Sequence, residues 1–274
     1  MIAKAPIGVF DSGYGGLTVL KELGKTLPEY DFLYMGDNAR APYGTRSYET
    51  VYEYTLECVK WFFNQGCSLV ILACNTASAK ALRTIQQNDL PLIYAHKRVL
   101  GVIRPTAEVI GNYTKTNEIG ILGTKGTVQS GSYFLEIKKF FPHIKVYQQA
   151  CPLLVPLIEN NEYQNAGAEY FIKKYLADLR MQSPGIDTIL LGCTHYPVLL
   201  NQIDEILHTN IKILSQGEIV AKSLKKYLER HLQIQEQCSK KGQVSFFTTD
   251  ASEDFEKHSP VFYGKPVSAT HIRL

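Results

Sequence analysis

The sequence predicts an α/β protein built from two similar α/β domains with mainly parallel sheets, and three observations support this class. Short aliphatic or β-branched runs alternate with segments of helical length and period, which is typical of β-α-β units. The chain has 274 residues, which exceeds the usual size of one domain. The third observation is an internal repeat that relates the first half of the chain to the second.

Seven segments are predicted as strands because each is a short apolar run of strand length that ends near turn-forming residues. They are IGVF (7–10), DFLYM (31–35), SLVILA (68–73), EIGIL (118–122), IKVYQ (144–148), DTILL (187–191) and IKIL (211–214). Most of the segments between them have helical length and period. The sequence therefore predicts parallel sheets with helices on both faces.

The repeat involves two pairs of similar segments that occur in the same order. IGVFDSGYGGLTVL begins at Ile7, and IGILGTKGTVQSGS begins at Ile119, an offset of 112 residues. LACNTASA and LGCTHYPV place Cys74 and Cys193 at equivalent positions, an offset of 119 residues. Any two β-α-β units share an aliphatic strand and a glycine turn, but two matches at nearly equal offsets favour an internal duplication.

A duplicated α/β fold with a pseudo-twofold axis would bring the carboxyl ends of both sheets to one cleft, where ligands of open α/β sheets bind. Cys74 and Cys193 both follow such strand ends. The two thiols would therefore face one ligand from opposite sides. Inversion of a carbon centre by proton transfer needs a base on one face and an acid on the other, and cysteine can perform both tasks.

Polar residues follow each of these cysteines at the predicted start of a helix. Asn75 and Thr76 follow Cys74, and Thr194 and His195 follow Cys193. They could cap the helices, or they could donate hydrogen bonds to a ligand carboxylate. The turn DSGYGG (11–16) does not match G-x-G-x-x-G, and the sequence lacks a G-x-x-x-x-G-K-[ST] motif, so a small anion is favoured over a nucleotide.

Composition excludes several other classes of protein. The net charge is only +3, with scattered Lys and Arg, so we expect no nucleic-acid partner. We also expect a cytoplasmic protein with no membrane partner, because no secretory signal or membrane-length apolar run is present. The six cysteines form no C-x-x-C pair, which argues for reduced thiols and against a metal site. Four of them are expected to pack in the core: Cys58, Cys67, Cys151 and Cys238.

Six motifs in order give the chain a specific resemblance. They are FDSGYGGLTV (10–19), GDNARAPYG (36–44), ACNTASA (73–79), GTKGTVQSGSY (123–133), CPLLVPLIE (151–159) and LGCTHYP (191–197). This pattern resembles the glutamate racemases of the cofactor-independent aspartate/glutamate racemase superfamily. The resemblance implies interconversion of L- and D-glutamate without a cofactor, supply of D-glutamate for peptidoglycan, and a homodimer.

The resemblance also implies roles for individual residues. Cys74 and Cys193 would be the catalytic pair, with Cys74 taking the proton from D-glutamate and Cys193 from L-glutamate. Asp11, His195 and Glu159 would assist them. The implied substrate-binding residues are Asp11, Ser12, Tyr43, Gly44, Asn75, Thr76, Thr124, Thr194 and His195. Without the motifs, Asp11 reads as a helix cap, His195 as a turn residue and Glu159 as a solvated helix residue.

The layout implied by the resemblance is discontinuous. Residues 1–96 plus 210–274 would form the first domain, which carries Cys74, and 97–209 the second, which carries Cys193. Two positions depart from the usual pattern of the family: Ser215 replaces an acidic residue, and Arg104 stands where glutamate is frequent. We expect both to affect packing or domain closure rather than the chemistry.

Three alternatives remain open. The first is another amino-acid racemase of the superfamily, such as an aspartate racemase, although CTH (193–195) resembles the glutamate enzymes. The second is a two-domain amino-acid binding protein without turnover, for which replacing Cys74 and Cys193 by serine would leave function intact. The third is thiol redox catalysis, which the missing C-x-x-C disfavours.

Overall fold

Ten strands form two parallel sheets in a computed structural model, which describes residues 4–207 and 211–274. The strands are β1 (Ile7–Asp11), β2 (Phe32–Gly36), β3 (Leu69–Leu72), β4 (Arg98–Gly101), β5 (Glu118–Gly123), β6 (Lys145–Ala150), β7 (Thr188–Gly192), β8 (Lys212–Leu214), β9 (Val244–Thr248) and β10 (Ala269–His271). One sheet has the order β10-β9-β2-β1-β3-β4 and the other β6-β5-β7-β8. All neighbouring strands within them run parallel.

Helices connect the strands and cover the sheets. They are α1 (Leu17–Thr26), α2 (Tyr48–Asn64), α3 (Asn75–Lys80), α4 (Leu82–Thr84), α5 (Leu90–Ile93), α6 (Ile103–Ala107), α7 (Lys125–Gln129), α8 (Ser132–Phe140), α9 (Leu154–Glu159), α10 (Ala166–Gln182), α11 (Leu200–Leu207), α12 (Gly217–Arg230), α13 (Leu232–Gln235) and α14 (Ser252–Tyr263). None of the helices among the described residues combines the length and apolarity needed to cross a membrane.

The two sheets share one strand order. In the larger sheet β2-β1-β3-β4 are neighbours, and in the smaller sheet β6-β5-β7-β8 follow the same sequence. This shared order confirms the predicted similarity of the two halves. Counted along the chain, the first strand of each set is followed by a neighbour on one side and the third strand by a neighbour on the other side. Ligands of such sheets bind in the crevice outside the carboxyl ends of these two strands. The cysteine segments follow the third strands, β3 and β7.

The central strands are buried on both faces, which explains their continuous apolar sequences. In β1, Ile7 and Val9 belong to one core cluster, whereas Phe10 belongs to a second cluster on the opposite face. In β7, Ile189 and Leu191 join the same cluster as Ile7 and Val9. This cluster therefore extends across both sheets, and helices close the outer faces.

The seven predicted strands are all present, but three further strands were not predicted. Both β4 (RVLG) and β10 are edge strands with partly exposed residues. Their mixed sequences follow from having only one neighbouring strand each. β9 (VSFFT) lies between β10 and β2, and its β-branched and aromatic residues were a usable signal.

The pairing of the strands shows that the chain passes from one sheet to the other at higher residue numbers than the predicted domain ranges give. β4 pairs with β3 in the larger sheet, so residues 98–101 do not belong with the range 97–209. β8 pairs with β7 in the smaller sheet, so residues 212–214 do not belong with the range 210–274. The predicted return between residues 209 and 210 lies outside the described residues. β9 and β10, from the last part of the chain, belong to the larger sheet, and the discontinuous domain layout stays a prediction.

Candidate active site

A cavity of about 70 Å³ lies where the loops at the carboxyl ends of both sheets meet. It has room for several water molecules or part of a small ligand. Eleven of the twelve predicted site residues line it: Ser12, Tyr43, Gly44, Cys74, Asn75, Thr76, Thr124, Glu159, Cys193, Thr194 and His195. The twelfth, Asp11, lies behind Ser12 and is fully buried. Both thiols thus reach one cavity from different sheets.

Cys74 follows β3 and caps α3. Its Sγ accepts a hydrogen bond from the backbone N–H of Ala77 at 3.5 Å, and the Oγ of Ser12 lies 3.5 Å from the same sulfur. The side chain is 6% exposed. Burial and the neighbouring Asp11 carboxyl raise the pKa of Cys74 to about 12, although Ser12 and the Ala77 amide oppose the shift. Cys74 is therefore a protonated thiol at neutral pH.

Cys193 has a titratable neighbour. The Nδ1 of His195 lies 3.9 Å from the Sγ of Cys193, and the Nε2 of His195 lies 2.9 Å from Oε1 of Glu159. Burial disfavours the charged imidazole, but the contacts with Cys193 and Glu159 outweigh it and raise the pKa of His195 to about 10. His195 is therefore protonated at neutral pH and places a positive charge beside Cys193.

Asp11 joins the two cysteine segments. Its Oδ1 accepts a hydrogen bond from Gly13 N at 3.0 Å, and its Oδ2 accepts one from the Thr194 hydroxyl at 3.2 Å. Burial raises the pKa of Asp11, while the positive charge of His195 opposes the shift. Asp11 thus fixes Thr194 beside Cys193, although it belongs to the sheet that carries Cys74.

Gly15 allows the loop after β1 to approach the Cys193 segment closely. A Cβ at Gly15 would lie 2.3 Å from the Thr194 Oγ1 and 2.4 Å from the His195 Nδ1, distances too short for any side chain. The Thr18 hydroxyl donates to the carbonyl of Thr194 at 3.0 Å in the same region. The glycines of DSGYGG therefore permit contact between the halves, in addition to any contact with an anion.

Tyr43 is anchored from behind by a buried carboxylate. Its hydroxyl donates to Asp37 Oδ2, and burial raises its pKa. Arg40 pairs with Asp37 at 2.7 Å and with Glu57 at 2.5 Å. Arg40 is therefore occupied by two carboxylates and is not among the residues that line the cavity.

A cluster of threonine hydroxyls also borders the cavity. Thr76 Oγ1 and Thr124 Oγ1 are 3.0 Å apart, and Thr127 Oγ1 lies 3.0 Å from Thr124. Thr76 follows Cys74, whereas Thr124 follows β5 of the other sheet. Gly44 approaches this cluster, since a Cβ there would lie 2.9 Å from the Cβ of Thr124. The predicted residues from both halves thus meet directly.

Several residues that line the cavity were not predicted. They are Pro42, Thr45, Lys125, Cys151, Pro152, Val155 and Pro156. Lys125 brings a positive charge that the sequence had not assigned, although it directly follows Thr124. Cys151 is fully buried in the core, as expected, and it also borders the cavity. Both lie within motifs that carried the resemblance, so their positions in those motifs were the available signal.

The two departures from the family pattern lie away from the thiols. Arg104 forms a surface ion pair with Glu108 at 3.1 Å, which contributes little to stability. The Oγ of Ser215 is buried without a hydrogen-bond partner among the described residues. The adjacent Gln216 instead forms several hydrogen bonds. Among the described residues, no group of His, Cys, Asp and Glu side chains is arranged to hold a metal ion.

Comparisons with known proteins agree with this geometry. The sequence model of the Asp/Glu/Hydantoin racemase family matches residues 7–224. A glutamate racemase of Persephonella marina is 39% identical over 269 residues, which cover 98% of this chain and 97% of the relative. The crystal structure of a glutamate racemase isoform from Bacillus anthracis superposes with a TM-score of 0.88 at 34% identity, with 98% of each chain covered.

A second similar structure was solved as a complex with a ligand. The glutamate racemase of Francisella tularensis in complex with D-glutamate has a TM-score of 0.86 and 32% identity, again with 98% of each chain covered. The family match spans most of the chain, and the sequence relatives cover nearly all of it. The chain therefore belongs to the Asp/Glu/Hydantoin racemase family.

Proposed function

We propose that this protein is a glutamate racemase that moves the α-proton of glutamate between two thiols without a cofactor. The observation that carries the proposal is that Cys74 and Cys193 line one cavity from segments that follow strands of different sheets. Relatives and solved structures similar over nearly the whole chain are named glutamate racemases.

The chemistry requires a base and an acid on opposite faces of Cα. For L-glutamate, the thiolate of Cys193 removes the α-proton, and the C–H electron pair remains on the substrate as a carbanion. The thiol of Cys74 then donates its proton to the other face, which gives D-glutamate, a protonated Cys193 and a thiolate at Cys74. The reverse reaction begins from this second state, so the proton on the enzyme must move before another L-glutamate reacts.

The surroundings of the thiols fit the state that receives L-glutamate. The protonated His195 stabilises a thiolate at Cys193, and its contact with Glu159 orients the ring. The raised pKa of Cys74 keeps its proton in place until the carbanion forms. For D-glutamate, Ser12 and the Ala77 amide are the groups that can stabilise a thiolate at Cys74.

Binding of the two carboxylates of the substrate is assigned to hydrogen-bond donors in the cavity wall. Asn75 and Thr76 provide side-chain donors, and Thr124 adds a hydroxyl from the other sheet, whereas the hydroxyl hydrogen of Thr194 is donated to Asp11. Lys125 borders the cavity, as does the protonated His195, and the positive charge of Lys125 can offset one carboxylate. These donors also stabilise the negative charge that develops when Cα loses its proton.

Three further properties are proposed from the family resemblance. The enzyme supplies D-glutamate for peptidoglycan, acts in the cytoplasm and forms a homodimer. Sedimentation velocity across a range of protein concentrations tests the last of these, since a single species with the mass of one chain would contradict it.

Circular dichroism tests the activity directly. Purified protein is incubated with D-glutamate, without added pyridoxal phosphate, and the optical signal is followed to equilibrium, with D-aspartate in a parallel sample. We expect the glutamate signal to decay to zero and the aspartate signal to persist. Decay with aspartate alone would assign the protein to a different racemase of the family, and no decay with either would favour a binding protein without turnover.

A further inference from the structure

Three buried side chains form a closed ring of hydrogen bonds beside Cys74. The amide nitrogen of Asn75 donates to Gln216 Oε1 at 2.8 Å, Gln216 Nε2 donates to the Tyr133 hydroxyl at 2.6 Å, and Tyr133 donates to Asn75 Oδ1 at 2.6 Å. Asn75, Tyr133 and Gln216 are 2%, 0% and 4% exposed. The ring joins the start of helix α3, helix α8 and the loop after β8.

The direction of the ring is fixed from outside it. Gln216 Nε2 also lies 3.2 Å from the carbonyl oxygen of Val102 and 3.0 Å from Thr106 Oγ1. A carbonyl oxygen only accepts hydrogen bonds, and Thr106 uses its own proton to donate to the Val102 carbonyl at 3.0 Å. Toward Gln216 both groups can therefore only accept, and they share the one Nε2 hydrogen that is not donated to Tyr133, which holds the nitrogen of Gln216 toward them.

This orientation is passed on to Asn75. Because Gln216 presents its oxygen to Asn75, the Asn75 amide must turn its nitrogen toward Gln216 and its oxygen toward Tyr133. If the Asn75 amide turned over, its oxygen would face the oxygen of Gln216. One hydrogen on the Asn75 nitrogen is used in the ring, and the described part of the chain assigns no acceptor to the second. Since Asn75 lines the cavity, that second hydrogen is available to a ligand.

We propose that Gln216, Tyr133 and Thr106 are positioning residues, which hold the Asn75 amide so that it presents an N–H, and not its carbonyl oxygen, to a substrate carboxylate. This inference rests on the proposed function. It adds three residues that do not line the cavity. None of the six sequence motifs indicated that they contact Asn75. A carboxylate facing the amide oxygen would be repelled. The ring therefore favours substrate binding because it orients the N–H donor of Asn75 before the substrate arrives.

A purely structural role for the ring predicts a different kinetic result. If the ring only stabilises the fold, its loss reduces the fraction of active enzyme, which lowers the apparent kcat and leaves KM unchanged. If the ring orients a ground-state contact that persists in the transition state, its loss raises KM and leaves kcat nearly unchanged. The division between KM and kcat therefore separates the two roles.

The test uses one main variant, one milder variant and one matched control. Gln216→Met keeps a similar side-chain volume and removes the amide. Thr106→Val removes one of the two groups that hold Gln216. Thr55→Val is the control, because Thr55 is also fully buried and its Oγ1 likewise donates to the carbonyl four residues earlier, that of Val51 at 2.6 Å, but it lies outside the ring.

KM and kcat for both enantiomers are measured by circular dichroism, and thermal unfolding is recorded for every variant. We expect Gln216→Met to raise KM roughly tenfold and Thr106→Val roughly threefold, with kcat nearly unchanged, since each weakens one hydrogen bond to a charged ligand. Thr55→Val should lose stability similar to that of Thr106→Val and keep the KM of the wild type.

Other outcomes contradict the proposal in distinguishable ways. If the wild type racemises glutamate and both ring variants keep its KM, the positioning role is wrong and the proposed function stands. If Gln216→Met does not fold, the comparison of Thr106→Val with Thr55→Val decides, and equal KM values overturn the inference. If the wild type does not turn over glutamate, the proposed function fails and the inference fails with it.

Discussion

The segments around Cys74 and Cys193 have the same backbone design but different neighbours. Each cysteine follows the third strand of a repeated four-strand set and precedes a helical turn. Cys74 contacts the Ser12 hydroxyl and a backbone amide, whereas Cys193 contacts a protonated imidazole that is paired with Glu159. The duplication therefore explains where the thiols lie, and unrelated side chains surround them.

This difference matters because racemisation needs unlike partners at any one moment. Two thiols in identical surroundings would share the same preferred protonation state, and a pair that is both protonated or both ionised cannot exchange one proton across a substrate. The buried Cys74 retains its proton, and the positive charge of His195 lies beside Cys193. The asymmetry sets the starting state of the pair.

The largest effect is expected from removing either thiol. Cys74→Ser and Cys193→Ser should each lower kcat for racemisation by about a thousandfold or more, because a serine hydroxyl is a far weaker acid and base on one face of Cα. Cys238→Ser is the matched control, since Cys238 is buried away from the cavity and its Sγ donates to the Ile234 carbonyl, as a serine can. Near-normal rates for Cys193→Ser, measured by circular dichroism, would contradict the two-thiol mechanism.

The next effect compares the neighbours of the two thiols. His195→Asn should lower kcat/KM roughly a hundredfold, because it removes the charge beside Cys193, and Ser12→Ala should lower it roughly tenfold, because it removes one hydroxyl. Enantiomers have equal free energy, so each variant must lower kcat/KM equally in both directions, which is an internal control. A larger loss for Ser12→Ala than for His195→Asn would contradict the assigned asymmetry.

Contact between the halves is tested at two glycines. Gly15→Ala should destabilise the protein by about 1–3 kcal/mol, because its Cβ would overlap Thr194 and His195. Gly24→Ala is the control, since Gly24 lies in α1 with no atom within 4 Å of the added Cβ, and alanine there should stabilise by about 0.5–1 kcal/mol. Urea denaturation measures both, and equal effects would mean that the loop after β1 does not approach Thr194 closely.

The smallest expected effect is on the pH dependence of stability. The pKa of His195 is about 10 in the folded state and about 6.5 in the unfolded chain, so the folded state binds this proton more tightly. The resulting stabilisation is fully present below pH 6.5 and is lost as pH rises toward 10. We expect the free energy of unfolding of the wild type to exceed that of Glu159→Gln most at the acidic end of this window. A constant difference between the two proteins would contradict the assigned charge on His195.

Much of the fold was predictable because strands buried on both faces leave continuous apolar runs. β1, β3 and β7 follow this pattern, and the repeated order of the strands matches the internal repeat of the sequence. The edge strand β4 was missed, since Arg98 and Gly101 interrupt the apolar pattern and only β3 pairs with it. Burial on one side gives a weaker signal than burial on two.

The site was predictable where its residues lie in the motifs at strand ends. The network behind Asn75 was not, because Gln216 and Tyr133 lie far from it in sequence and meet it only through folding. Lys125 and Cys151 were missed for a different reason. Both stand inside motifs of the resemblance, but periodicity describes the face of one element and does not identify which residues of another element border the same cavity.

Early-time isotope incorporation tests the two-thiol mechanism most directly. D-glutamate is incubated with the enzyme in heavy water, and the two enantiomers are separated and examined by proton NMR before a tenth of the substrate has reacted. We expect deuterium at Cα of the L-glutamate formed and nearly none in the recovered D-glutamate, because the proton leaves to one thiol and the deuteron arrives from the other. Comparable deuterium in the recovered D-glutamate would mean that one group serves both faces, and it would contradict the mechanism.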